Sequence, residues 1–359
     1  MIPATTAPEI LERSPFRDHD GASGARLERA RLADGSRVIL KRFDPAQDLT
    51  MALPPVGEVR EIVLWRAGVL DRLPPPIGHA IVGAWREEGF WVLAMRDLSA
   101  TILGWESRIS RAQCRRVIAA ALAMHERFRG EEIEDLLALE DRVAIFSPRV
   151  MGSLRGRGNP LPDHCLRGWE RFADIAPRDV ADLVFAIHEH PGILAEPLRT
   201  RSGSTLLHGD LWLPNIALEP DRVVVIDWAL ATQGPPIIEF ASFLAGCASQ
   251  VSATREEILD DIRRLMGERH DEDAMRLGLV QGMVEMGWNM ALHATEHGGH
   301  RGPRDLRVVG RRGPARAHHR PADLTARRRA IAPREALTIV GAAKVVEETV
   351  AGAKSVAFA

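Results

Sequence analysis

At 359 residues, with 45% hydrophobic and 27% charged, the chain has room for two domains with cores of their own. Three cysteines, Cys114, Cys165 and Cys247, odd in number and far apart, exclude a disulfide framework and fit a reducing cytoplasm. The first residues show no basic patch followed by an apolar stretch, and the apolar run 237–248 is short and broken by Glu239, so neither a signal peptide nor a membrane span is expected.

The net charge of −2 hides an asymmetry: residues 301–359 carry 13 basic side chains against 5 acidic ones, so the body is acidic and the tail basic. Of 47 basic residues only Lys41, Lys344 and Lys354 are lysines. A planar guanidinium and a compact ammonium do different work, so Lys41, alone in the first 343 residues, is a candidate for a role that arginine cannot fill.

In chain order, residues 16–43 read as strands. Asp34-Gly35 separates two alternating runs as a hairpin turn, and Gly21, Ser23 and Gly24 form a small-residue turn before the second strand. A helix is expected over 56–73, ended by three prolines, then strands over 78–84 and 90–95. From 110 onward helices are expected at 110–128, 131–145, 164–174, 177–190, 236–250, 254–266 and 271–297. Strand-like runs return only at 205–228. The expected organisation is a small lobe at 1–95, a larger lobe at 96–300 and a tail at 301–359. The tail is rich in Arg, Gly, Pro and His, has no helical or strand period, and reads as disordered.

The segment LLHGDLWLPNIALEPDRVVVIDW, 206–228, carries the chemistry. His208-Gly209-Asp210 ends one strand, Asn215 opens the next, and a turn at 219–221 returns a strand that delivers Asp227. A turn centred near Asp221 gives an index sum of about 442, which pairs Asn215 with Asp227 at the open end of the hairpin. An amide oxygen and a carboxylate held together suit Mg²⁺, which takes its remaining ligands from phosphate and water.

His208-x-Asp210-x₄-Asn215 followed by Asp227 resembles the catalytic and metal loops of the aminoglycoside phosphotransferase and choline kinase-like family. The resemblance implies an α+β, two-lobe protein kinase-like fold, with a small N-terminal antiparallel sheet lobe and a larger, mainly helical C-terminal lobe. It implies an enzyme that moves the γ-phosphoryl group of ATP or GTP, with Mg²⁺, to a hydroxyl of a small molecule. Asp210 matches the catalytic base, and Asn215 and Asp227 match the metal ligands. Lys41 matches the strand lysine on the nucleotide phosphates. Glu61 matches the helix glutamate that pairs with that lysine, with Glu58 as runner-up. Gly21, Ser23 and Gly24 match the turn over the phosphates, and residues 95–98 the linker beside the adenine. The rival reading is a pseudokinase or scaffold that binds nucleotide without turnover.

The sequence departs from the family's pattern in two places. Glu239 stands where an aspartate usually braces the catalytic loop, and the basic tail replaces a final acidic, aromatic helix. A nucleic-acid partner is considered only for that tail, which lacks interleaved aromatics. Trp212 and Trp228 flank the two aspartates and are candidates to line the site. The acids Glu131, Glu132, Glu134, Asp135, Glu140 and Asp141 form either a surface for a cationic acceptor or a solvated helix face.

Overall fold

In the computed structural model, residues 7–16, 23–54 and 59–296 are described; Gly21, Glu58 and the basic tail lie outside them. The alternating runs on either side of Asp34-Gly35 pair as β2 (Arg26–Leu32) and β3 (Arg37–Phe43), with β1 (Ile10–Pro15) added on the outer side. The Asp34 carboxylate secures the turn by accepting from the Ser36 N–H at 2.9 Å. After α1 (Arg60–Arg66) come the three-residue β4 (Ile77–His79), then β5 (Ile81–Glu87) and β6 (Phe90–Arg96). The five-stranded antiparallel sheet runs β1-β2-β3-β6-β5. Period-2 alternation places Lys41 on the same face as Ile39 and Phe43, which pack toward α1 and the second lobe.

Two expectations change in this lobe. The helix expected over 56–73 is α1 alone among the described residues, because the N–H groups of Ala67, Gly68 and Val69 turn back onto Val63, Trp65 and Leu64 and close it. A separate one-turn helix follows at Leu70–Arg72. The strand expected over 78–84 is broken at Ala80, because residues 77–79 leave the small sheet and join the other lobe.

The second lobe opens with β7 (Ile109–Ser110) and α2 (Arg111–Arg127), whose start is fixed by a capping box between Ser110 and Gln113. It continues through α3 (Leu139–Val143), α4 (Pro148–Leu154), α5 (Leu161–Ile175), α6 (Arg178–Glu189) and α7 (Gly192–Ser202). Four short strands follow: β8 (Thr205–Leu207), β9 (Ile216–Leu218), β10 (Val223–Val225) and β11 (Thr232–Gly234). The described chain closes with α8 (Pro236–Cys247), β12 (Val251–Ser252), α9 (Arg255–Met266) and α10 (Glu272–Glu296), the last packed between α5 and α8. β4 pairs in parallel with β10, and β10 antiparallel with β9, so a piece of the first lobe completes the sheet that carries Asn215.

The helix expected over 131–145 is only α3. Like charges three and four apart at Glu131, Glu134 and Asp135 disfavour a helix there, and the backbone pairs with β11 instead: the Ile133 N–H reaches the Gln233 side-chain oxygen at 3.0 Å and the Leu137 N–H the Ala231 carbonyl at 3.1 Å. Among the described residues, no helix is long and apolar enough to cross a membrane.

His188 on α6 is packed into this core, edge-on to Trp169 with ring centroids 4.6 Å apart. Its Nε2 donates to the Val284 carbonyl at 2.9 Å, while Nδ1 is buried with no partner. Burial pushes the imidazole down to about 4 despite that hydrogen bond. The unfolded ring titrates near 6.5, so between these values the unfolded state holds the extra proton and stability falls as pH drops. Between pH 7 and pH 5 this ring alone is expected to remove about 2 kcal/mol. In urea unfolding at the two pH values, the parent should lose that much more stability than His188→Gln. Equal losses would show that the ring is not held neutral.

Candidate active site

Between the lobes lies a cavity of about 440 Å³. Lys41 enters it from β3, Asp210 from the loop after β8, Asn215 from the turn before β9, and Asp227 from just past β10. Met95, Arg96, Asp97 and Leu98 form one edge where the lobes join, and Ser23 another. Residues nearly two hundred positions apart thus share one space.

Lys41 is buried, and its ammonium donates to Glu61 of α1 at 2.6 Å and to Asp227 at 2.9 Å. Burial alone would lower its pKa, but the charges of Asp227, Glu61 and Asp48 outweigh that and hold it above its ordinary value. Burial pushes the Glu61 carboxyl up against the pull of Lys41. Of the two glutamates offered by the sequence, Glu61 makes the pair. Its neighbour Arg60, not singled out in the sequence, is buried and donates to the Ala229 carbonyl at 2.5 Å and the Leu53 carbonyl at 3.3 Å. It ties α1 to the turn that follows Asp227.

Gly24 has φ +96°, and a Cβ there would lie 2.8 Å from the Gln47 carbonyl, so this turn takes a glycine for backbone reasons of its own. Ser23 lines the cavity; Gly24 instead faces Gln47 and the Asn159 side chain.

The hairpin register differs from expectation by one residue. Val225 lies opposite Ile216, and the Ile226 N–H meets the Asn215 carbonyl at 3.0 Å, so Asn215 pairs with Ile226 and Asp227 lies one step beyond. A one-residue shift along a regular strand would send Asn215 and Asp227 to opposite faces. The strand has ended, however, and Asp227 takes a left-handed conformation, φ 64° and ψ 63°, that leaves both side chains on the cavity. The turn residues Pro220-Asp221 hid the offset, because their loop geometry cannot be read to within one residue from sequence.

The Asn215 amide nitrogen donates to the Asp210 carboxylate at 2.8 Å and to the Asp210 carbonyl at 2.9 Å. Burial pushes the Asp210 carboxyl up to about 7; Asp227 and Glu285 add to the rise, while Arg142 and Asn215 oppose it. With its nitrogen engaged, Asn215 keeps an amide oxygen for a cation, and the Asp227 side chain is 26% exposed toward the cavity. Hard oxygen donors facing an open space fit a small divalent cation.

His208 is fully buried beneath this loop. It donates from Nε2 to the Ile226 carbonyl at 2.9 Å and accepts at Nδ1 from the Asp210 N–H at 3.2 Å, which fixes one neutral tautomer. Burial lowers its pKa, with Glu239 and Asp227 opposing. Glu239 braces the loop from α8. Its two oxygens accept from the Gly209 N–H at 2.8 Å and the His208 N–H at 3.2 Å, and His125 Nε2 adds a third contact at 2.8 Å. The extra methylene relative to aspartate is thus accommodated. Burial would raise Glu239, but His125, His208 and the Gly209 amide lower it overall. Arg142, also missed in the sequence, holds the Gly209 carbonyl at 2.9 Å while paired with Glu285 at 2.8 Å. Its partners lie 67 and 143 positions along the chain, so no local pattern marks it.

Trp212 lines the cavity, whereas Trp228 is wholly buried and packs edge-on to His208 at 4.7 Å. None of the six acids between 131 and 141 reaches the cavity.

A small antiparallel sheet over a helical lobe, with a buried lysine, two aspartates and an asparagine meeting in the cleft, defines a kinase-like two-lobe α+β protein. The family model described as Phosphotransferase enzyme family (APH) matches residues 19–276, and the chain belongs to that family. No curated protein matches the sequence. Among solved structures, the chain is similar to the choline kinase LicA from Streptococcus pneumoniae, with 14% identity over 80% of this chain and 86% of that one and a TM-score of 0.47. It is also similar to an aminoglycoside phosphotransferase from Alicyclobacillus acidocaldarius, with 14% identity over 95% and 91% and a TM-score of 0.44. A third similar structure is an aminoglycoside phosphotransferase from Streptomyces rimosus, with 18% identity over 76% and 92% and a TM-score of 0.44.

The brace under the loop gives a stability test. In Glu239→Gln an amide NH₂ must face a donor, leaving a buried N–H unpaired at a cost of about 1–3 kcal/mol. Gly209 has φ +82°, and a Cβ would fall 1.9 Å from the Leu230 carbonyl, so Gly209→Ala should cost at least as much. Chemical denaturation of both variants checks this; parent-like midpoints would show that the loop does not depend on the brace.

Proposed function

We propose that the protein transfers the γ-phosphoryl group of ATP or GTP to a hydroxyl of a small molecule. The observation that carries this reading is the convergence of Lys41, Asp210, Asn215 and Asp227 on one cavity, with Lys41 held by Glu61 at 2.6 Å. A scaffold has no use for all four in one place. The nucleotide base lies against the linker at 95–98, and Lys41 and Ser23 face its phosphates. Asn215 and Asp227 hold Mg²⁺, which when bound neutralises phosphate charge. The first 95 residues form the nucleotide lobe, residues 96–300 supply base and acceptor wall, and three buried free thiols suit a reducing cytoplasm.

Asp210 accepts the hydroxyl proton as the acceptor oxygen bonds to the γ-phosphorus. The bond from that phosphorus to the bridging β–γ oxygen breaks, and the nucleoside diphosphate leaves. A carboxylate whose pKa is raised toward neutrality is a stronger base than an exposed one and is still largely ionised above pH 7. Lys41 keeps its positive charge at any working pH and lies beside the same aspartate that faces the metal position.

Two variants separate the roles. Asp210→Asn keeps size but removes the base, so turnover should fall by at least about a hundredfold while Mg-ATP affinity holds. Lys41→Arg keeps charge, but a planar fork does not fit between Glu61 and Asp227, so Mg-ATP affinity and turnover should both fall. Calorimetric titration with Mg-ATP and acceptor-dependent ADP release measure both. Undiminished turnover in Asp210→Asn would remove the base assignment, and a parent that binds Mg-ATP but never turns over would favour the scaffold.

A further inference from the structure

The acceptor side of the cavity is built from the helical lobe. Phe146, Met151, Leu154, Leu161, Trp212 and Trp288 give it an apolar wall. Among the described residues, the only charged side chains that the chain from 102 onward gives to this cavity are Asp210 and Asp227. Both have tasks in the transfer itself. None of the six acids between 131 and 141 lines the cavity, and two of them are paired elsewhere: Glu131 with Arg72 and Arg127, and Glu140 with Arg199 at 2.5 Å.

A polycationic acceptor entering such a wall would lose its hydration with no carboxylate to replace it. A single quaternary ammonium group is held by open aromatic faces. Here the rings spend part of that surface on each other: Trp105 meets Trp212 edge to face, at 73° with centroids 5.4 Å apart, and Phe146 meets Trp288 at a tilt of 51° and 6.0 Å. An apolar ring or alkyl body loses water on entry and meets only carbon-rich surface, which favours it.

We propose that the acceptor is an uncharged, mainly apolar alcohol, its body against Phe146, Met151, Trp212 and Trp288 and its hydroxyl at Asp210. This rests on the phosphotransferase reading above. Its step is the one already balanced: the hydroxyl proton passes to Asp210, the oxygen takes the γ-phosphoryl group, and the nucleoside diphosphate departs.

The test is calorimetric titration of the full chain, first with Mg-AMP-PNP and then, at saturation, with four probes: 2-naphthaleneethanol, cyclohexylmethanol, choline and kanamycin. The two neutral alcohols should bind saturably and at least about tenfold tighter than either cation. Phe146→Glu, which adds a carboxylate to the wall, should shrink or reverse that ratio; Leu161→Glu, at a half-buried position, serves the same purpose if the first variant does not fold. Tighter binding of choline or kanamycin, or no saturable binding of either neutral alcohol, overturns the inference and leaves the phosphotransferase reading standing. Failure to bind Mg-AMP-PNP at all overturns both.

Discussion

A single buried ammonium joins the parts of this protein. Lys41 comes from the small sheet, Glu61 from α1 and Asp227 from the hairpin of the helical lobe, and all three meet within hydrogen-bond distance. Withdrawing such charges from water costs several kcal/mol per ion, and removing one partner of a buried pair costs about 3–5 kcal/mol. The arrangement therefore persists only with both carboxylates present, and their presence fixes where the sheet, the helix and the hairpin lie relative to one another. Arg60 reinforces the same junction from the neighbouring position on α1. The strand β4, which leaves the first lobe, pairs with β10 on the edge away from β9.

The second constraint lies beneath the loop 208–210. Three adjacent residues, His208, Gly209 and Asp210, leave little freedom once their polar groups are counted. Glu239 takes two of their N–H groups, His208 takes the third, and Arg142 takes the Gly209 carbonyl. Glu239 comes from α8 and Arg142 from α3, where Glu285 of α10 holds it, so the loop is set by the packing of α3, α8 and α10 as a body. The result is a carboxylate at Asp210 that faces the cavity from a buried support, which is also what raises its pKa. Rigidity and basicity have one origin here.

Much of this was legible in the sequence because short-range rules govern it. The Asp34-Gly35 hairpin and the alternation that turns Lys41 inward follow from local spacing, while the set Lys41, Glu61, Asp210, Asn215 and Asp227 was picked out by its resemblance to the family's motifs. The scarcity of lysine marked Lys41 before any geometry was known. What the sequence hid depends on distant partners. The pairing of 131–138 with β11, the departure of β4 to the other lobe and the contacts of Arg60 and Arg142 involve residues far along the chain. α7 was hidden by Pro197 inside it, while Ser147-Pro148 was a readable start for α4 that passed unused. The hairpin register missed by one residue because Asp227 leaves the strand in a left-handed turn, a choice that neither β propensity nor alternation encodes.

The central claim is that the Lys41 junction and the Asn215–Asp227 pair form one site for a metal-bound nucleotide. A crystal structure of the full chain with AMP-PNP and Mn²⁺, read by anomalous scattering, tests it most directly. The account predicts a manganese peak ligated by the Asn215 amide oxygen and the Asp227 carboxylate, with the Lys41 ammonium on a phosphate oxygen and Glu61 still paired to it. A nucleotide bound elsewhere, or manganese without Asp227 among its ligands, would contradict it.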